Sequence, residues 1–224
     1  MITNKTRIFS SLLVLSCTFL ILTQCSSKKY YADFKRTKKG VDNLILLSPY
    51  VSVEFLKNKE ISKDNEQEEI SVQKIVDNVH SLFKKKYQLT DFILPYDTIS
   101  EYELSNIFSI LDNGDNNLEV PIPLFIQNRI KNNSNRYFLM VCFKGYYNAH
   151  FQPNYRTQQM LATNRILIYP NTQFFSSDMR VLIFDNQKNI IVYYGKKYAK
   201  NIDPRIIDSV EKMILDILKP LYYK

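Results

Sequence analysis

Glycine is scarce in this chain: four occur among 224 residues, at 40, 114, 145 and 195. No two lie within the spacing of a phosphate-cradling loop, so the Walker and dinucleotide-binding fingerprints are excluded. Histidine is scarcer, at positions 80 and 150 only. There is no His-Glu-x-x-His and no Cys-x-x-Cys, so a metal site would have to be assembled from scattered carboxylates. The Gly-x-Ser-x-Gly elbow of the hydrolases is missing as well. Carboxylate pairs exist, such as Glu101 and Glu103, but residues two apart on a helix do not share a face. No catalytic residue, cofactor or metal ligand is therefore assigned, and a non-enzyme is expected.

Cysteine is limited to Cys17, Cys25 and Cys142. Cys142 lies in the apolar run Tyr137-Phe138-Leu139-Met140-Val141-Cys142-Phe143 and reads as a packing residue; a nucleophile would want an electropositive, partly exposed setting. Basic excess is also absent from most of the chain. The net charge is +8, Lys5 and Arg7 bring two of these, and residues 28–40 set six basic groups against Asp33. From Val41 onward the balance is then 8 − 2 − 5, about +1. A nucleic-acid binder would carry its excess on the fold. Here it lies near the amino terminus, where a solvated linker or contact with anionic head groups fits it.

What is present at the amino terminus is an export signal: Lys5 and Arg7, then an apolar run over residues 8–23, then an abrupt polar exit. The run falls short of the roughly 20 residues of a spanning helix. Its end, Leu22-Thr23-Gln24-Cys25, resembles the lipobox of bacterial lipoproteins. The resemblance implies cleavage before Cys25 and its lipidation. Gln24 departs from the Gly, Ala or Ser usual at that position, which leaves Cys17, preceded by Ser16, and an uncleaved anchor as alternatives. The low-glycine, Lys-, Asn- and Ile-rich composition is similar to that of Bacteroidetes proteins. Surface export of lipoproteins there resembles a rule requiring acidic residues just after the cysteine. Ser26-Ser27-Lys28-Lys29 has none, which implies a body facing the periplasm from the outer membrane.

The expected organisation is a signal peptide at 1–24, a basic tether at 25–40 and one α+β domain at 41–224, long enough to bury a core. A fragment starting near Val41 is expected to fold alone. The apolar run from Leu44 to Val53, broken at Ser48-Pro49, reads as a strand. Residues 57–69 read as a charged loop. Val72, Ile75, Val76, Val79, Leu82 and Phe83 mark one face of a helix over 71–87, and His80 sits beside that face as a boundary residue. Ser100 and Glu103 have capping-box spacing ahead of Leu104, Ile107, Phe108 and Leu111. Asp112-Asn113-Gly114-Asp115 stops that helix and lacks the order of a calcium loop. Strands are expected at 123–130, 136–146, 165–169, 179–184 and 190–194, with a hairpin turn at 185–189. Val181-Leu182-Ile183-Phe184 does not alternate, so both sheet faces should be covered. Asp203-Pro204 should open a final helix, Pro at its first position, with Ile206, Ile207, Val210, Met213, Ile214, Ile217, Leu218 and Leu221 buried. The fold class is thus α+β: a single mixed sheet flanked by about three helices.

The opening strand, the strand ending in Gly145, Ile183-Phe184-Asp185 followed by Ile191-Val192-Tyr193-Tyr194, and the closing helix together resemble the small α+β domain of periplasmic lipoproteins related to the TolB amino-terminal domain. The penicillin-binding-protein activator and curli-secretion lipoproteins share that class. The resemblance implies a non-catalytic protein that binds other envelope proteins, and it transfers no functional residue. A binding module for a small molecule or glycan is the alternative, permitted by the aromatic content. Residues 146–164 mix aromatics, amides and Arg156 without an acid. Hot spots favour such residues, so Tyr147, Phe151, Tyr155 and Arg156 are the candidate contacts for a protein partner. The rival reading is that part of this segment simply packs on the sheet.

Overall fold

The computed structural model describes residues 25–38, 41, 43–84, 87–114, 118–149, 174–200 and 202–222. The expected signal peptide at 1–24, the candidate strand at 165–169, and Phe151, Tyr155 and Arg156 lie outside the described residues. The architecture is α+β, with a mixed eight-stranded sheet and five helices among the described residues. In chain order these are β1 (Cys25–Tyr30), α1 (Ala32–Thr37), β2 (Asn43–Leu47), β3 (Tyr50–Lys57), β4 (Glu60–Lys63), α2 (Asn65–Phe83), β5 (Gln88–Phe92), α3 (Thr98–Asn113), α4 (Leu124–Ile130), β6 (Tyr137–Asn148), β7 (Phe175–Asp185), β8 (Ile190–Lys200) and α5 (Ile207–Tyr222).

The sheet runs β1-β8-β7-β6-β2-β5, and β3 continues along β6 with β4 hairpinned onto it. The expected break at Ser48-Pro49 has a clear consequence. Leu46 pairs with Leu139 and Tyr50 with Cys142, so four steps on one strand match three on the other. The extra residue is a bulge, placed where proline has no N–H to give to a ladder.

Two apolar clusters sit on the two faces. Leu139, Val141 and Phe143 of β6 pack with Ile75, Val79 and Phe83 of α2 and with Val210, Met213, Ile214, Ile217, Leu218 and Leu221 of α5. Phe138, Met140 and Cys142 pack with Leu104, Ile107, Phe108 and Leu111 of α3 and with Ile126 and Ile130 of α4. Successive strand residues point to opposite faces. A strand covered on both sides therefore buries an unbroken run, as residues 138–143 do.

Several boundaries differ from the sequence reading. Residues 25–38 are no tether. β1 pairs with β8 over its whole length, from Cys25 opposite Tyr198 to Tyr30 opposite Tyr193. Lys28 and Lys29, on opposite faces, each reach a helix. Lys28 Nζ donates to Asp216 O at 2.7 Å, and Lys29 Nζ donates to Leu111 O at 2.6 Å and Gly114 O at 2.5 Å. Lys29 satisfies carbonyls that the end of α3 leaves orphaned, and Lys28 satisfies the Asp216 carbonyl, which Pro220, four residues on, has no N–H to pair.

The charged stretch 57–69 is a hairpin and a helix start rather than a loop. Asn58 and Lys59 take positive φ, 52° and 70°, as a tight hairpin turn needs. Asp64 accepts from Gln67 N and caps α2. Glu68 accepts from Val53 N at 3.0 Å and fastens the helix to β3. The capping box of α3 is Asp97 with Ser100, one turn before the expected pair; Glu103 instead accepts from Phe125 N at 3.2 Å. Residues 124–130, expected as a strand, form α4 and bury Ile126 and Ile130 four apart. A short apolar run does not declare its period. Asp203 and Pro204 precede α5 in a turn, with Asp203 accepting from Arg205 N at 2.9 Å. Gly145 makes room for that turn, since a Cβ there would stand 2.5 Å from Pro204.

Candidate interaction face

α3 crosses one face of the sheet. Near its start Glu101 accepts from Lys63 Nζ at 3.2 Å. At its end Lys29 holds the last carbonyls. The strands below α3 change character abruptly. Tyr50 pairs with Cys142, Ser52 with Lys144 and Glu54 with Tyr146. Across β7, Cys142 pairs with Arg180, Lys144 with Asp178 and Tyr146 with Ser176. Counting by twos from the buried Cys142, the same face therefore turns polar. A cavity of about 300 Å³ opens there, lined by Tyr50, Ser52, Lys144, Tyr146, Ser176 and Asp178 among others. Lys144 lies 6.0 Å from the centre of the Tyr50 ring. Burial, and after it the nearby Glu101, push the Tyr50 hydroxyl above its ordinary value.

At the upper wall a charge cluster joins α3 to the strands. Arg180 Nη2 reaches Asp178 Oδ2 at 2.8 Å and Asp112 Oδ2 at 3.3 Å. Its guanidinium lies 4.4 Å from the Phe108 ring centre, a cation–π distance. Asp112 also accepts from Tyr194 Oη at 2.6 Å and Lys196 Nζ at 2.7 Å. Burial alone would raise the Asp112 carboxyl. The hydrogen bonds from Lys196 and Tyr194 and the charge of Arg180 outweigh it and hold the group below the usual carboxylate range. Asp178 Oδ1 and Arg180 Nη1 are buried and make no hydrogen bond to other protein atoms. Asp178 also lines the cavity, whereas these two atoms are sealed inside the cluster, where unpaired groups are costly.

Of the four sequence candidates for a partner contact only Tyr147 is among the described residues, and it lies outside this cavity. Tyr147 is near the end of β6, 7% exposed, on the other face. Its hydroxyl donates to Asp64 Oδ2 at 2.5 Å and its ring stacks on Phe55 at 5.7 Å. The Arg205 guanidinium lies 4.0 Å from its centre. Burial, then the bond to Asp64, push the phenol up to about 12. It is a packed residue rather than an open contact. Cys25 opens the edge strand β1. Cys142 is buried, and its thiol is pushed far up by that burial. His80 is half-exposed and pairs with Asp91 at 2.7 Å, tying α2 to β5. A larger, shallower hollow of about 550 Å³ beside it is lined by Ser81, Lys84, Tyr87 and Leu89. Among the described residues no group of three or more His, Cys, Asp or Glu could hold a metal ion, and no helix is long and apolar enough to cross a membrane.

The polar half-face was missed in the sequence, although it left a trace. Asp178-x-Arg180 and Tyr194-x-Lys196 place polar side chains two apart at the ends of apolar runs, which puts each pair on one strand face.

No protein-family model matches the chain, and no curated protein matches it. Similar solved structures include the PelC dodecamer from Paraburkholderia phytofirmans, space group P6, at 7% identity and a TM-score of 0.42, covering 90% of this chain and 99% of that one. A single-residue variant of that dodecamer in space group C2 is 7% identical with a TM-score of 0.40, covering 90% and 100%. At that level the likeness carries neither residue nor function across.

Proposed function

We propose that this is a membrane-anchored lipoprotein of the cell envelope, facing the periplasm from the outer membrane, that acts without catalysis by binding another envelope protein. The observation that carries the reading is the charged start, short apolar run and Leu22-Thr23-Gln24-Cys25 lipobox directly ahead of the fold. The resemblance to TolB-related lipoprotein domains points the same way. The polar half-face beneath α3 supports a partner surface. Phe151, Tyr155 and Arg156 are further candidate contacts on the sequence alone. Labelling with a palmitate analogue should mark the protein and Cys25→Ala should abolish the mark; retention of the label in that variant, with loss in Cys17→Ala, would move the anchor. Cross-linking in intact membranes should then recover a defined envelope protein, and Lys144→Glu with Ser176→Arg should lose it while the protein stays folded.

A second reading, a small polar ligand or glycan in the 300 Å³ cavity, is favoured by the lining of Tyr50, Tyr146 and Lys144. It is preferred if cross-linking recovers no protein.

A further inference from the structure

We propose that the β1 edge of the sheet lies directly against an anionic phospholipid surface, held at one end by the acylated Cys25 and at the other by the basic cluster of α1 and the end of α5. This rests on the lipoprotein reading and adds an orientation to it. Cys25 is already in register with Tyr198 of β8, so the anchor residue is part of the sheet and no slack separates lipid from fold. β1 is the end strand of its sheet. An edge strand presents one row of backbone groups that its own sheet does not pair, and lysines commonly guard such edges.

The charges are sorted across the molecule. Residues 26–38 hold Lys28, Lys29, Lys35, Arg36 and Lys38 against Asp33. Lys35 and Arg36 are exposed, and Lys38 Nζ donates to Pro220 O at 2.9 Å, which brings α1 to the end of α5. Lys219 is there too, close enough that its charge weighs on Lys28 after burial, the opposing charge of Asp216 and the charge of Lys197. At the other side, residues 54–69 carry six acids and three bases, on β3, β4 and the start of α2. From β1 through β8, β7, β6 and β3 to β4 is five strand spacings, about 24 Å. That is about three Debye lengths at physiological salt. A negative surface touching β1 attracts the basic cluster and lies beyond the screened reach of the acids. Cys25 and Tyr30 are about 17 Å apart along β1, so lipid and cations make a two-point contact rather than a pivot.

The test uses the full exported chain, reconstituted into vesicles of phosphatidylcholine alone or mixed with phosphatidylglycerol. Lysines are modified with a membrane-impermeant acylating reagent and read singly by mass spectrometry. The expected result is a several-fold fall in labelling of Lys28, Lys35, Lys38 and Lys219 on the phosphatidylglycerol vesicles, reversed by high salt, with Lys57, Lys59 and Lys74 unchanged. Lys35→Glu with Arg36→Glu, both exposed positions, should remove the dependence on phosphatidylglycerol without altering the far-ultraviolet circular dichroism. Equal labelling on both vesicle types, or protection at Lys57 and Lys59 instead, overturns the contact. Protection of the β1 edge independent of lipid, with a chain–chain cross-link, also overturns it, in favour of strand addition by a second copy. The mass of the amino-terminal peptide in the same spectra reports acylation separately, so loss of the anchor reading is distinguishable from loss of the contact.

Discussion

Asp112 shows how much one side chain carries here. It ends α3, yet it accepts from Tyr194, Lys196 and Arg180 on the strands beneath. Its carboxyl is held low because those bonds and charges favour the ionised form over the penalty of burial. A carboxyl lowered in the folded state stabilises it above the unfolded value, about 3.9, and that contribution is lost as pH falls through the folded value. Stability should therefore drop on acidification below about pH 4. Asp112→Asn should lower stability at neutral pH and flatten the acid limb of a urea-midpoint profile. An acid limb identical to that of the parent chain would show that the cluster does not hold Asp112 ionised.

At the scale of elements, β1 changes the expectation for a shortened chain. A fragment starting near Val41 reads as a complete domain only while residues 25–40 are taken as tether. In the fold that fragment loses the whole β1–β8 ladder, the Lys28 bond to α5, the Lys29 bonds to the end of α3, and the packing of Phe34, which is 4% exposed. Hydrogen bonds to charged groups contribute about 1.5–3 kcal/mol each, against a total stability of about 5–15 kcal/mol for a domain. The fragment should melt well below the chain starting at Cys25, or not fold; equal melting temperatures would return 25–40 to the role of a linker. The other helices were legible in proportion to their periodic faces. α2 and α5 stood out because their apolar residues recur over about three turns or more. α4 did not, because seven residues are too few to separate a helical face from a strand.

For the whole molecule, one sheet serves two cores. Leu139 and Met140 are neighbours in β6, both fully buried, and belong to opposite clusters. Leu139→Ala and Met140→Ala should each cost about 2–5 kcal/mol and should shift the same single unfolding transition, since neither helical layer can dissolve without exposing the shared strands. Two separated transitions in calorimetry would show that the layers unfold independently. The same layering sets the polarity of the molecule, with basic residues around β1 and acids around β4 and the start of α2 at the far side of the sheet.

Local rules were enough to read the non-alternating central strands, the apolar faces of α2, α3 and α5, the hairpin at 185–189 and the burial of Cys142. Each depends on residues within a few positions of one another: a period, a turn, a run. The polar half-face depends instead on which strands become neighbours. Asp112, Asp178, Arg180, Tyr194 and Lys196 come from one helix and two strands, as far as 84 residues apart, and no spacing in the chain announces that they meet. Lys28 and Lys29 are the same kind of case. As letters they are a basic dipeptide after a cysteine; only pairing with β8 puts them on opposite faces, and only the placement of α3 and α5 gives each an unpaired helix carbonyl to hold. Tertiary structure decided these because a charge finds its partner through the sheet order, and the sheet order is set by the two buried cores rather than by the charges.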